Sequence, residues 1–425
     1  MPSIITRGAM SAAGFGFAST GALSGPYWMG TVIDTLASMG PEAISVDTNG
    51  AAYSVGYSTD ATSATVGQVI KYDTFGSLIF QKAYVESSGY TIQPRASTID
   101  SVGNIYISGY TLGASCIIKI NSSGTVQWVA TLDVGAPFQG LTIDISGNIC
   151  AAGQTPSGWC VAQFSSAGTL VWQYEFLPGS LSTGYAIATD SSGNIYVSGT
   201  SVNATVSVMQ IIKLNSSGTL QWQRQLYNGT TIYSIARSVA VDASGNVYVC
   251  GPNDAGFLVL QIVKYNTSGT LQWQRAITQA SNGVFAGITL DSAGNIYACS
   301  GDGNLFKYNS SGSIQWQRRL SSSVNAYFSA IKCVGSVIYV TASLQTTPSG
   351  YYQSFIMKVP TNGSKTGSYV VGSYTFTYAA GSRTETAGGM IEATTTFTNT
   401  ASSYPSTAIS INSSDTTFTS SVTTL

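Results

Sequence analysis

Residues 236–277, ARSVAVDASGNVYVCGPNDAGFLVLQIVKYNTSGTLQWQRAI, carry the pattern on which the fold turns. Four short apolar segments stand in this stretch. SVAVD runs into the turn DASGN, NVYVCG follows, LVLQIVKYN runs into the turn NTSG, and TLQWQRAI closes the unit. Val, Ile, Tyr and Trp on a period of two, bounded by Asp, Asn, Ser and Gly, predict four half-buried strands joined by tight turns.

The unit recurs along most of the chain. Its first turn reappears as DTNGAAY from Asp47, DSVGNIY from Asp100, DISGNIC from Asp144, DSSGNIY from Asp190 and DSAGNIY from Asp291, with DASGNVY from Asp242 in the quoted copy. A seventh, eroded copy reads CVGSVIY from Cys333. The intervals are 53, 44, 46, 52, 49 and 42 residues, near the period of propeller blades rather than of helical repeats. The second turn follows each copy, as in KINSSGTVQW at Lys119 and KLNSSGTLQW at Lys213, and shrinks to KVPTNG at Lys358.

The ends of the array predict how it closes. Six copies place an aromatic on the fourth strand, namely Phe80, Trp128, Trp172, Trp222, Trp273 and Trp316, and the seventh has none after Gly363. Trp28 instead stands 19 residues before Asp47, within the range of 16 to 20 that separates the aromatic from the next turn elsewhere. The N-terminal segment therefore reads as the missing fourth strand of the last blade, and closure removes an otherwise bare sheet edge. The expected fold is all-β: a seven-bladed β-propeller of four-stranded blades, closed by an N-terminal strand. It carries an arm at residues 1–26, the propeller at 27–363 and a β-rich Ser/Thr extension at 364–425.

These residues resemble the seven-bladed β-propeller repeat proteins marked by D-x-x-G-N-x-Y-V-x-G and K-x-N-x-x-G-x-x-x-W. The departures are Cys150 for Tyr, Gln163 for Lys, and the loss of Asp and Asn in copy seven. The arm, IITRGAMSAAGFGF at residues 4–17, resembles the N-terminus of tailed-bacteriophage virion structural proteins. That resemblance implies that Ile4, Ile5, Phe15 and Phe17 serve assembly.

Charged residues make up only 8% of the chain and the net charge is −1. No basic field exists to hold nucleic acid by counterion release. No apolar run is long enough to span a membrane, and the N-terminus lacks the Leu/Ile-rich core of a secretory signal. Six cysteines without a CxxC pair read as small buried hydrophobes. With no histidine, the usual zinc and iron sites are not expected, and no cofactor is implied.

In an up-and-down blade the two tight turns share one face of the disc. The variable connections, such as YSTDATSATVG, PNDAGF, VESSGYTIQPR and YNGTTIYSIAR, emerge on the other, where loops on a rigid scaffold usually bind. Tyr90, Phe138, Trp159, Tyr185, Tyr227, Tyr233, Phe285, Tyr351 and Tyr352 fall in or beside these loops and are the candidate binding residues.

The Asp-x-x-Gly-Asn turns invite a calcium reading, but each offers one carboxylate. Asp accepting backbone N–H bonds accounts for the pattern. Arg224, Arg275 and Arg318 recur after Trp-Gln and are expected to snorkel or to bridge neighbouring blades rather than to bind an anion. Catalysis is not expected: there is no His for a triad, and nothing in the spacing of Glu86, Asp133 and Glu175 pairs two carboxylates.

The function expected is a non-enzymatic structural subunit of a tailed-phage virion, self-associating or built into a larger assembly. Both arms would dock on other virion subunits, and the loops would face a host-surface glycan or protein. The alternative is an extracellular, free-standing propeller that binds glycans or proteins.

Overall fold

The computed structural model describes residues 27–425 apart from 34–37, 60–64, 87–91, 112, 178–181, 204–205, 228–233, 254–258, 279–285, 346–351, 372–373, 384, 388–390, 394–397, 402–405, 409–410, 416–418 and 425. The described elements are strands, arranged as seven antiparallel sheets. The four-strand units span residues 38–86, 93–132, 138–177, 183–227, 238–278 and 286–322. The seventh combines Asn325–Val334, Val337–Gln345 and Tyr352–Pro360 with Trp28–Ile33. The first strands of neighbouring blades touch all the way round, including blade seven against blade one, so the ring is closed about a central channel. No helix of the described residues is long and apolar enough to cross a membrane.

The turns form for the reasons their residues suggest. In each complete copy the Asp carbonyl accepts from the Gly three residues on, as Gly245 N to Asp242 O at 2.9 Å. That Gly sits at a positive φ, 77° for Gly245, which side-chain-bearing residues resist. The Asp carboxylate is fully engaged. Asp242 Oδ1 accepts from Ser244 N and Asn246 N at 2.9 Å each, and Oδ2 from Asn246 Nδ2 at 2.8 Å and Tyr248 Oη at 3.0 Å. The motif is turn chemistry, with its oxygens already taken.

Core burial is divided between the blades. Seven apolar clusters lie one at each joint; that between blades five and six holds Tyr248, Cys250, Ile262, Ile296 and Phe306. The joint between blades seven and one holds Trp28, Met39, Val46, Tyr339 and Ile356.

Trp28 takes the expected place. It pairs with Lys358 in the register in which Trp316 pairs with Lys307 and Trp273 with Lys264, and it is 1% exposed.

The extension was expected, with the N-terminal arm, to dock on other virion subunits. It lies on its own propeller, as an edge strand for every blade. Tyr374–Ala380 pairs with the outer strand of blade six, Glu385–Ala387 with five and Ile391–Ala393 with four. Thr398–Ala401 pairs with three, Ser406–Ala408 with two and Ile411–Asp415 with one. Thr419–Thr424 finally pairs with Trp28–Ile33 of blade seven. Gly367–Val371 folds back on Tyr374–Ala380 and widens the blade-six sheet to six strands, while the others have five. Backbone pairing suits a segment with few large apolar residues, because the ladder satisfies an edge without needing a core.

The belt is anchored where it begins. Phe376 stacks on Phe355 at 4.8 Å between ring centroids. Arg383 Nη2 meets the buried carboxylate of Asp302 at 2.7 Å, and Gln317 exchanges two hydrogen bonds with the Arg383 backbone.

Candidate binding face and channel mouth

The two faces of the disc differ in chemistry. On the turn face, five of the seven blades are clasped to the next by the same pair of donors, a lysine and a tryptophan. Lys264 Nζ and Trp273 Nε1 both donate to the Ser310 carbonyl of the following blade, at 3.0 and 3.3 Å. Lys213 and Trp222 do the same to Thr267, and Lys307 and Trp316 to Thr361. Across the closure Lys358 and Trp28 donate to Thr74, at 2.7 and 3.3 Å. Each lysine also lies over the tyrosine of its own blade, as Lys264 over Tyr248 at 5.1 Å. The repeated arginines bridge blades as expected: Arg224 Nε donates to Gly269 O at 2.7 Å, Arg275 to Gly312 O and Arg318 to Gly363 O at 2.8 Å.

Blade three breaks the clasp and repairs it locally. With Cys150 for Tyr and Gln163 for Lys, Gln163 Nε2 donates to Asp144 Oδ2 at 2.8 Å, the carboxylate oxygen that tyrosine hydroxyls reach in other blades. The Trp172 indole N–H is left buried without a hydrogen-bond partner among the described residues. All six cysteines are free and buried. Burial pushes the Cys116, Cys150, Cys299 and Cys333 thiols up to about 12, so they are protonated at neutral pH.

The loop face holds few of the expected aromatics in view. Tyr90, Tyr233, Phe285 and Tyr351 lie outside the described residues, as do Ile4, Ile5, Phe15 and Phe17 of the arm. Tyr227 ends the strand Leu220–Tyr227, but its side chain is outside the description. Phe138 and Trp159 are corrections: both are 0% exposed. Phe138 begins the first strand of blade three and packs edge-on against Phe164. Trp159 fills the joint between blades three and four, its Nε1 donating to Thr200 O at 2.9 Å. Short loops in that blade draw both aromatics into strands, where alternation points them inward. Tyr185 and Tyr352 remain half-buried at the face.

A second set of residues, of which the sequence reading named only Tyr185, encircles the mouth of the channel. The first strands of five blades carry a register shift near their loop-face ends, at Pro41/Ala43, Pro94/Ala96, Phe138/Gly140, Gly184/Ala186 and Phe328/Ala330. The bulged residues are Glu42, Arg95, Gln139, Tyr185 and Ser329. Arg237 holds the same place in blade five: its N–H donates to Cys250 O, while Ser238 pairs with Cys250. All six are half-buried.

The bulge explains the last Gly of the D-x-x-G-N-x-Y-V-x-G motif. A Cβ at Gly56, Gly199 or Gly251 would strike the carbonyl oxygen of Gly40, Thr183 or Ile235, each two residues before a bulged position. That Gly was the available signal, since a strand glycine marks a bulge or a close backbone approach.

Two charges of this ring pair and a third faces them. Arg95 Nη1 stands 3.7 Å from Glu42 Oε1. The Arg237 guanidinium lies 4.3 Å over the Tyr185 ring. Burial raises the Glu42 pKa against the pull of Arg95 and of Arg237, so Arg237 acts on Glu42 from the far side of the ring. The Nε atoms of Arg95 and Arg237 are buried with no hydrogen-bond partner among the described residues. At the other end of the channel, Val46, Thr98, Asp100 and Lys332 line a recess.

The beta-propeller repeat family matches at residues 82–115 and 173–203; both matches run from an outer strand through the second strand of the next blade. Together with the seven-bladed ring they support the propeller repeat family. No curated protein matches the chain. The WD40 beta propeller domain of Doa1 is similar at 13% identity and a TM-score of 0.53, over 77% of this chain and 94% of that one. Sqt1 from Chaetomium thermophilum is similar at 11% identity and a TM-score of 0.50, over 77% of this chain and 96% of that one. At such identities the likeness concerns the fold alone.

Proposed function

We propose that the protein is a non-enzymatic structural subunit of a tailed-bacteriophage virion, held through its turn face and binding a protein or surface glycan through its loop face. One observation carries this polarity. Trp28 donates to Thr74 in a tight turn of blade one, so the start of its strand lies on the turn face, opposite the divergent loops. Attachment on one side and display on the other follow from that placement.

The arm pattern at residues 4–17 supports the virion assignment. The expectation that residues 366–425 dock on a neighbouring subunit does not hold, because their strands pair with the blades of their own ring. Attachment therefore falls to residues 1–26. Protonated thiols and turn-bound aspartates support a binding rather than a catalytic role.

The same belt favours the alternative of an extracellular free-standing propeller, since an extension taken up by its own blades needs no neighbour to hold it. Replacing Phe15 and Phe17 with Ser separates the two. In a virion subunit the double variant is lost from purified tailed particles, while the propeller melts unchanged. Antibodies that find the protein only free in the culture medium would refute the virion reading.

A further inference from the structure

We propose that the ring of bulged residues at the loop-face mouth of the channel is a binding site for an acidic sugar residue of a glycan. This rests on the reading of the loop face as the binding face and names the chemistry it takes.

Three features of the ring point to it. First, the bulges place side chains that the regular ladder would not. A bulge adds a residue to one strand and re-aims its side chain, and such bulges are frequent beside functional sites. Here the same device recurs in blade after blade, while its residue changes from Glu42 to Arg95, Gln139, Tyr185, Arg237 and Ser329. Turns and clasps stay nearly constant between copies, whereas this position of the repeat varies in charge and size from blade to blade.

Second, a chain with 8% charged residues places three charges here. The two arginines and one glutamate leave a net positive charge at the mouth. Arg237 is pre-oriented by stacking on Tyr185, and Arg95 is held beside Glu42 at 3.7 Å. Both keep a buried Nε without a hydrogen-bond partner among the described residues. Planar guanidinium groups suit a carboxylate, which they grip through two parallel bonds.

Third, Glu42 selects among carboxylates. An acidic peptide side chain would meet the arginines but bring no donor to Glu42, and the two carboxylates would repel. A sugar acid carries hydroxyls beside its carboxylate. These can donate to Glu42, while Gln139 and Ser329 offer further polar contacts. Uronic and sialic acids share this chemistry.

The test is calorimetric titration of the full chain with sialyllactose, with a hyaluronan tetrasaccharide, with lactose as the neutral match and with a tetraglutamate peptide. At least one acidic sugar should bind tenfold or more tightly than lactose. Arg237→Gln and Arg95→Gln should each weaken that binding tenfold or more without moving the melting temperature, and Lys332→Ala at the far end of the channel should leave it unchanged. Glu42→Gln should weaken the sugar and strengthen the peptide. Equal binding of lactose and the acidic sugars, no binding of either acid, or no effect of Arg237→Gln would overturn the proposal. Tighter binding of tetraglutamate than of any sugar would assign the mouth to a protein partner instead. A panel of bacterial surface polysaccharides separates the two readings. If the chain binds there and Arg237→Gln binds equally, the mouth is not the site and the loop face still is; if the chain binds none, the glycan reading of the loop face fails as well.

Discussion

Aspartates 190, 242 and 291 show how much of this fold rests on a few ionised groups. Burial raises their pKa values. Hydrogen bonds from the side chain and backbone of Asn194, Asn246 and Asn295, from Tyr196, Tyr248 and Tyr297, and from the turn backbone outweigh it, so all three are held below the ordinary carboxylate value. A depressed folded pKa contributes stability that is complete above the unfolded value, about 3.9, and is lost as pH falls through the folded value. Melting temperature should therefore drop steeply below about pH 4, and Asp242→Asn should flatten part of that drop. An acid limb unchanged by that variant would show the turns to be indifferent to charge. Cys150 and Gln163 test the same node from the other side. Gln163→Lys removes the bond to Asp144, while Cys150→Tyr alone crowds a fully buried site. The double variant rebuilds the common clasp, so the two changes should couple favourably by about 1 kcal/mol or more in chemical denaturation. Additive effects would contradict the compensation.

The belt is the element with the largest consequence. Without it, seven outer strands end in unpaired N–H and C=O groups, a template for pairing with other chains. Removing residues 367–425 should leave a propeller that retains its β-sheet circular dichroism but aggregates at a lower temperature, with faster amide exchange along Leu271–Thr278 and its counterparts. Unchanged exchange there would mean that the belt does not pair as described. The sequence made the blades legible because each copy repeats the turn residues that physics demands, and it placed Trp28 in blade seven by counting. It did not reveal the belt. Three-residue strands such as Glu385–Ala387 and Ile391–Ala393 are held by the backbone ladder with little side-chain help beyond the Arg275–Glu385 ion pair, and backbone leaves no periodic trace. The loop face was misread at Phe138 and Trp159 because an aromatic near a loop looks the same whether it starts a buried strand or leaves it. The bulged residues were hidden for the opposite reason: their identities vary, and only the facing Gly betrays the position.

At the scale of the molecule, the disc is polar. Its turn face is sealed by repeated Lys, Trp and Arg clasps and carries Trp28 and Lys358 on Thr74. Its loop face carries the divergent connections and the ring around Arg237 and Glu42. Both described ends of the chain meet in blade seven, where Trp28–Ile33 is held between Tyr352–Pro360 and Thr419–Thr424. A scaffold closed twice at one seam can be held by one face without opening the other. Electron cryomicroscopy of tailed particles carrying the full chain tests this arrangement most directly. The account predicts discs seated with Trp28 and the tight turns toward the particle and with Arg237 and the variable loops toward solvent. Discs seated by the loop face, or particles that carry none, would contradict it.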